Sequence, residues 1–511
     1  MRRILLAAAC AVLAALPAVP PRTAVAQTAV AQTLRIALRE DADILDPTLS
    51  STYVGRIVFA GLCDKLFDIN DKLQIVPQLA TSYDWADPKT LVIHLRPNVL
   101  FQDGEKLDAA AVKATLDRDL TMPGSFRKSE ISSMDRAEVV DPLTIRIVLK
   151  SPSAPFLSQL ADRAGMILAP KAASKEGKDF GLHPVCAGPF KFVERVPQDR
   201  IVLERFPQYW NASAIHFDRV VYQPIVDPSV RLANLKAGAV DLVEYIVPTD
   251  AAAVKADPKL RLVMSDNLGY LGITTNIAHG PRAKTPFGQD KRVRQAFELS
   301  IDRNALVQVV YNGMYTPTAQ AVPQASPFYI QSIQPPPRDV AKAKALLAEA
   351  GVKPPVTVEL MTPNSPDLLQ AAQVIQAMAG EAGFDVKIRS TEFATSLQES
   401  YQGNFQAYLI GWSGRVDIDG NTYAFLHSGQ RNDVGDYSNP VVDSTLDQAR
   451  ATTDIGQRRA LYTKMWDQER QDLPIIYLWN PKNTVGMSAR LTGFDPVPDG
   501  IIRLQNLRME K

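Results

Sequence analysis

The stretch VTVELMTPNSPDLLQAAQVIQAMAGEAGFDVKI, residues 356–388, decides the fold class. Val356-Thr357-Val358-Glu359-Leu360 and Phe384-Asp385-Val386-Lys387-Ile388 alternate apolar and polar side chains, as strands do when successive residues face opposite sides of a sheet. Between them Pro366 to Ala382 reads as a helix stopped by Gly383, which takes the left-handed conformation at low cost. Strand, helix and strand within about 33 residues point to a right-handed crossover joining parallel strands. An α/β architecture with helices laid on sheets follows.

Working back from this unit, Pro354-Pro355 halts any preceding helix, and Asp339 opens one over Val340 to Ala350 that Gly351 closes. Lys291 to Tyr311 places Val293, Phe297, Ile301, Leu306 and Val310 at near-helical intervals, which predicts a single helix with one buried face. The N-terminal half is richer in strands: Leu91 to Leu95, Thr144 to Leu149 and Ile201 to Phe206. Asp108 stands ready to accept from the free N–H groups of a helix over the following residues.

At the amino end, Arg2-Arg3, the apolar run Ile4 to Leu16 and the small-residue sites at 24–26 and 29–31 read as a secretory leader, residues 1–31, cleaved after 26 or 31. Thirteen apolar residues span about 20 Å as a helix, short of the ~30 Å hydrocarbon core. The leader holds three arginines and no acid, so the +1 charge of the 511-residue chain becomes −2 without it. With 56 basic against 55 acidic residues there is no field to draw nucleic acid. Two cysteines remain beyond the leader, Cys63 and Cys186, and an exported chain permits either one disulfide or two buried thiols.

Chemistry-bearing motifs are sparse. The five histidines form no H-E-x-x-H or zinc-spaced set, and no G-x-S-x-G elbow, S-x-x-K element, Walker loop or strand-linked G-x-G-x-x-G occurs. No catalytic residue, metal ligand or cofactor is therefore expected. What stands out is the loop Gly411 to Tyr423 after the strand-like Phe405 to Ile410: Trp412 offers a stacking face, Arg415 a planar fork for a carboxylate, Asp417 and Asp419 acceptors for an ammonium, and Asn421 an amide. That mixture suits a polar or zwitterionic ligand. The plainer reading is a loop whose Asp and Asn side chains build turns.

With these segments on the page, the chain resembles the family 5 extracellular solute-binding proteins of bacterial ABC importers, which include dipeptide-, oligopeptide- and nickel-binding members. The resemblance rests on Leu91 to Val112, with its Phe101-Gln102-Asp103-Gly104 turn, and on Ala187-Gly188-Pro189-Phe190, Tyr209-Trp210-Asn211, Lys291 to Ala296, Ala341 to Gly351 and Tyr437-Ser438-Asn439-Pro440, in family order. It implies the type II periplasmic binding protein fold in its large family 5 form: an α/β chain of two lobes about a hinge. Lobe one is placed at 32–266 plus 482–511, with the family's extra subdomain, and lobe two at 267–481.

The family further implies a non-enzymatic, soluble periplasmic monomer that captures a small solute such as a peptide and delivers it to an inner-membrane ABC permease. A metal-chelate or haem carrier on the same fold is the alternative. The Trp412 loop resembles the family's ligand-facing loop but departs from it at Asp417-Ile418-Asp419, where Ile replaces Pro, and at Arg415, where peptide binders are commonly acidic. The ligand set expected is Tyr53, Trp412, Arg415, Asp417, Asp419 and Asn421. Both cysteines fall in lobe one, which favours pairing them.

Overall fold

In the computed structural model, which describes residues 32–510, the 356–388 unit is a parallel pair. Strands Val356–Pro363 and Phe384–Thr391 run in register from Val356 opposite Phe384 to Pro363 opposite Thr391, and helix Pro366–Glu381 crosses between them. Gly383 has φ 99°, a conformation costly for any residue with a Cβ. The pair forms one edge of a six-stranded sheet completed by Ala407–Trp412, Tyr270–Thr275, Ile475–Asn480 and Thr316–Pro317, in that order. The predicted leader lies outside the described residues.

A second, seven-stranded sheet is ordered Leu260–Asp266, Lys482–Ser488, Leu242–Val243, Thr33–Leu38, Arg219–Pro224, Arg200–Arg205 and Phe190–Val196. Thr33–Leu38 runs parallel to both of its neighbours. The chain leaves this sheet after Asp266, enters the six-stranded sheet at Tyr270, and passes back between Asn480 and Lys482. An antiparallel four-stranded sheet, Ala80–Asp87, Thr90–Leu95, Thr144–Leu149 and Met134–Asp141, packs Leu91, Ile93, Ile145 and Ile147 against Val112 and Leu116 of helix Ala109–Thr121. Asp108 caps that helix, accepting from the Ala111 N–H.

Cys63, just past helix Tyr53–Leu62, and Cys186 are joined by a disulfide within the core of the seven-stranded sheet. The single helix expected over 291–311 is instead two, Lys291–Ser300 and Arg303–Tyr311. Asp302 accepts from the Ala305 N–H and so starts a new helix, while Ile301 is extended. Val293, Phe297, Ile301, Leu306 and Val310 are all buried, because a break that keeps the apolar face inward leaves the burial pattern intact.

Candidate functional site

Between the two large sheets lies a cavity of about 1560 Å³, part of it open to solvent. Its position follows from strand direction, since the carboxyl ends of parallel strands leave a crevice where the chain turns away into loops and helices. Arg39 and Glu40 follow strand Thr33–Leu38, and Tyr245 follows Leu242–Val243. On the facing side Asp367 and Phe393 come just after the parallel strands Val356–Pro363 and Phe384–Thr391, and Trp412 ends Ala407–Trp412. Both sheets thus contribute the ends of their parallel strands to one space.

Ten of the 32 lining residues are aromatic, set among polar and charged side chains. Tyr311 packs on Tyr315 and on Trp479, with ring centroids 4.5 and 5.1 Å apart, so that rigid rings rather than mobile chains shape the floor. Arg39 pairs with Glu244 at 2.5 Å through Nε, and its guanidinium lies 4.1 Å from the Tyr245 ring centroid. Tyr245 in turn donates to the Asp367 carboxylate at 2.9 Å, linking segments from opposite sides of the cavity. Glu40 lines the same cavity and takes no hydrogen bond or ion pair among the described residues; burial pushes its carboxyl up to about 8 despite the neighbouring Arg39 cation.

The predicted ligand set separates into groups. Tyr53 and Trp412 line the large cavity, Tyr53 with its hydroxyl donated to the Gly500 carbonyl at 2.6 Å. Trp412 Nε1 donates to the Gly420 carbonyl at 3.0 Å and to Asn421 Oδ1 at 3.1 Å. Asp417 receives both terminal nitrogens of Arg458 at 2.8 and 2.7 Å, and Asp419 receives Arg450 at 2.9 and 2.7 Å. Asn421 accepts the Arg415 N–H and donates to the carbonyls of Leu268 and Ala321. Asp417 and Asn421 line neither this cavity nor the smaller one beside it, and their polar groups are spent on the protein.

That smaller cavity, about 450 Å³ with the space open to solvent included, is walled by Arg127, Arg163, Arg415, Arg450, Asp419 and Trp412, and shares Ser51, Trp412 and Asn432 with the large one. Arg415 arrives from the Trp412 loop, stacks over the Trp412 ring at 4.3 Å, and places Nε 2.5 Å from Asp162, a residue of the segment between the four-stranded and seven-stranded sheets. Arg56 approaches the other oxygen of Asp162 at 3.1 Å. Burial alone would raise the Asp162 carboxyl, but Arg415 and Arg56 together hold it well below the usual carboxylate range.

Sequence reasoning missed Arg39, Glu40, Tyr245, Arg127 and Arg163. The one local signal was a charged pair, Arg39-Glu40, placed directly after a fully apolar strand end; the others carry no motif. Among the described residues no group of three His, Cys, Asp or Glu side chains stands close enough to hold a metal ion. No helix among them is long and apolar enough to cross a membrane.

Comparison with known proteins gives this geometry its context. The family model of bacterial extracellular solute-binding proteins, family 5 Middle, matches residues 74–433. The glutathione-binding protein of Pectobacterium atrosepticum is 30% identical over 476 residues, covering 90% of this chain and 91% of the relative. Among solved structures, the periplasmic binding protein AgaA of A. tumefaciens R10, in complex with agropinic acid, is 26% identical with a TM-score of 0.85, covering 94% of this chain and 99% of that one. The murein tripeptide-binding protein of Escherichia coli shares the fold, with a TM-score of 0.87 at 22% identity and coverages of 94% and 99%. The chain is a binding protein and not an enzyme, its fold is the two-lobed α/β fold of periplasmic binding proteins, and it belongs to the bacterial extracellular solute-binding proteins of family 5.

Proposed function

We propose that this protein is the exported periplasmic receptor of an ABC importer, that it captures a small peptide-like solute between its lobes, and that the closed form delivers that solute to an inner-membrane permease. The observation that carries this reading is the cavity of about 1560 Å³, partly open to solvent and lined by aromatic and polar side chains, between the two large sheets. The lobes are residues 32–266 with 482–511, and 267–481. The changes of sheet after Asp266 and after Asn480 support hinges at those crossings. Ligand favours closure only by its preference for the closed state. The receptor acts as a monomer and nucleic acid plays no part.

The solute is of dipeptide to tripeptide size, with glutathione a leading member of the class, since relatives covering most of this chain are named for it. The test is the unfolding temperature with glutathione, di- and tripeptides, nickel–histidine and haem. A rise with glutathione or a short peptide supports the reading. A rise confined to nickel–histidine or haem overturns it in favour of a metal-chelate or haem carrier.

A further inference from the structure

Beside the large cavity the protein buries more positive charge than it neutralises. Arg56, Arg127, Arg163 and Arg415 are 5%, 1%, 1% and 8% exposed, and the carboxylates paired with them are Asp162 and Glu130, while Asp499 and Asp119 act on Arg56 and Arg127 without an ion-pair contact. Both acids are already engaged: Glu130 with Arg127 at 2.9 Å, and Asp162 with Arg56 and Arg415. The Arg163 backbone N–H donates to Asp162 at 2.7 Å, but its guanidinium has only neutral acceptors, the Ser50 and Thr52 carbonyls at 2.9 and 3.3 Å. The Arg163 guanidinium is thus a buried cation without a paired carboxylate, an arrangement that costs free energy unless an anion arrives.

The unspent donors show where it would arrive. Arg127 Nε, Arg163 Nε and Arg415 Nη2 are buried without a hydrogen-bond partner, and all three residues wall the cavity of about 450 Å³. Guanidinium N–H groups match the spacing of carboxylate oxygens and gain strength out of water. Ser51, Trp412 and Asn432 border both cavities, so the arginines lie next to a solute in the larger one, across Trp412. Burial, with Arg127 and Arg415 adding their repulsion, also depresses the Arg163 guanidinium well below its ordinary range, as expected for a cation awaiting a counter-ion.

We propose that Arg127, Arg163 and Arg415 form a carboxylate subsite, so that the solute is an acid whose anionic end seats beyond Trp412 and touches guanidiniums contributed by both lobes. This rests on the reading that solute occupies the adjoining cavity, and it adds the charge class of that solute. Arg415 then plays two parts, with its Nε holding Asp162 while its Nη2 faces the ligand.

Two measurements test it. In the first, the unfolding temperature in sodium succinate is compared with that in sodium chloride of equal ionic strength, for the parent and for Arg163→Gln and Arg415→Gln. The expected result is a rise of about 1 °C in the parent that both variants lose. No rise, or an equal rise in the folded variants, overturns the subsite. In the second, glutathione and a dipeptide are titrated against their carboxamide forms. The acids should bind the parent about 10- to 100-fold more tightly than the amides, a preference that Arg415→Gln abolishes. Equal affinity of acid and amide overturns the proposal. If succinate acts as expected while no peptide binds in either form, the subsite stands and the peptide-like reading falls.

Discussion

Replacing Asp162 by Asn separates the energetics of folding from those of lobe closure. The carboxylate is 6% exposed and bridges two arginines: Arg56, in the helix Tyr53–Leu62 that packs under the seven-stranded sheet, and Arg415, from the six-stranded side. Removing one partner of a buried ion pair costs about 3–5 kcal/mol, because the remaining charge stays out of water. With the proposed lobe boundaries the Arg56 contact lies within one lobe and would be lost whether the lobes are open or closed. With the same boundaries the Arg415 contact spans the lobes and would be lost only on closure, since in an opened cleft Arg415 would be hydrated. Assigning half of the cost to each contact puts about 2 kcal/mol on closure, a change of about 30-fold in the closed-to-open ratio. An anionic ligand would partly replace the missing carboxylate, so ligand-free protein is the sample to use. Spin labels at the exposed positions Val196 and Val441 report the distance between lobes, and Arg415→Gln completes a double-mutant cycle. A coupling energy near 2 kcal/mol is expected; an unchanged distance distribution in Asp162→Asn, or a coupling under about 0.5 kcal/mol, would refute a contribution of the Arg415–Asp162 pair to closure.

Three further outcomes follow from named contacts. The Cys63–Cys186 bond closes a loop with a sequence separation of 123 residues, and the chain-entropy relation makes its removal by paired serines cost about 5 kcal/mol; equal denaturant midpoints for oxidised and serine forms would contradict this. Burial raises the carboxyls of Glu40 and Asp119 to about 8 and those of Asp64 and Asp433 to about 7. The native state then holds protons that the unfolded chain releases from about pH 4 upward, so urea midpoints should fall between about pH 4 and pH 8, and Asp119→Asn should flatten that slope. Tyr53→Phe removes only a hydroxyl already donated to Gly500, so it should lower stability by about 1 kcal/mol and leave solute affinity within about twofold. A large loss of affinity would place that hydroxyl on the ligand.

Much of the fold is legible because it is written in local periodicity. The 356–388 unit forms as its alternation and Gly383 imply, and Asp108 and Asp339 cap the helices they precede. The break at Ile301–Asp302 escaped because an apolar face can continue in phase across two helices, and only the side-chain cap distinguishes them. The site was half legible. Trp412 carries a signal, since a large aromatic at a strand end must pack or stack. Asp417, Asp419 and Asn421 looked available because their partners, Arg458, Arg450 and the Leu268 and Ala321 carbonyls, sit on other elements. The arginines that crowd Asp162 are likewise scattered along the chain, and nothing short of the fold reveals that they meet.

On the proposed reading, the cavity between the two large sheets holds a small acidic, peptide-like solute. Native mass spectrometry of the protein purified from the periplasm, before and after mild denaturation, tests it most directly. The expected result is a bound mass of peptide size that leaves on unfolding, that carries at least one carboxylate, and that Arg163→Gln protein fails to retain. A haem or a metal complex in its place, or a bound solute without an acidic group, would contradict it.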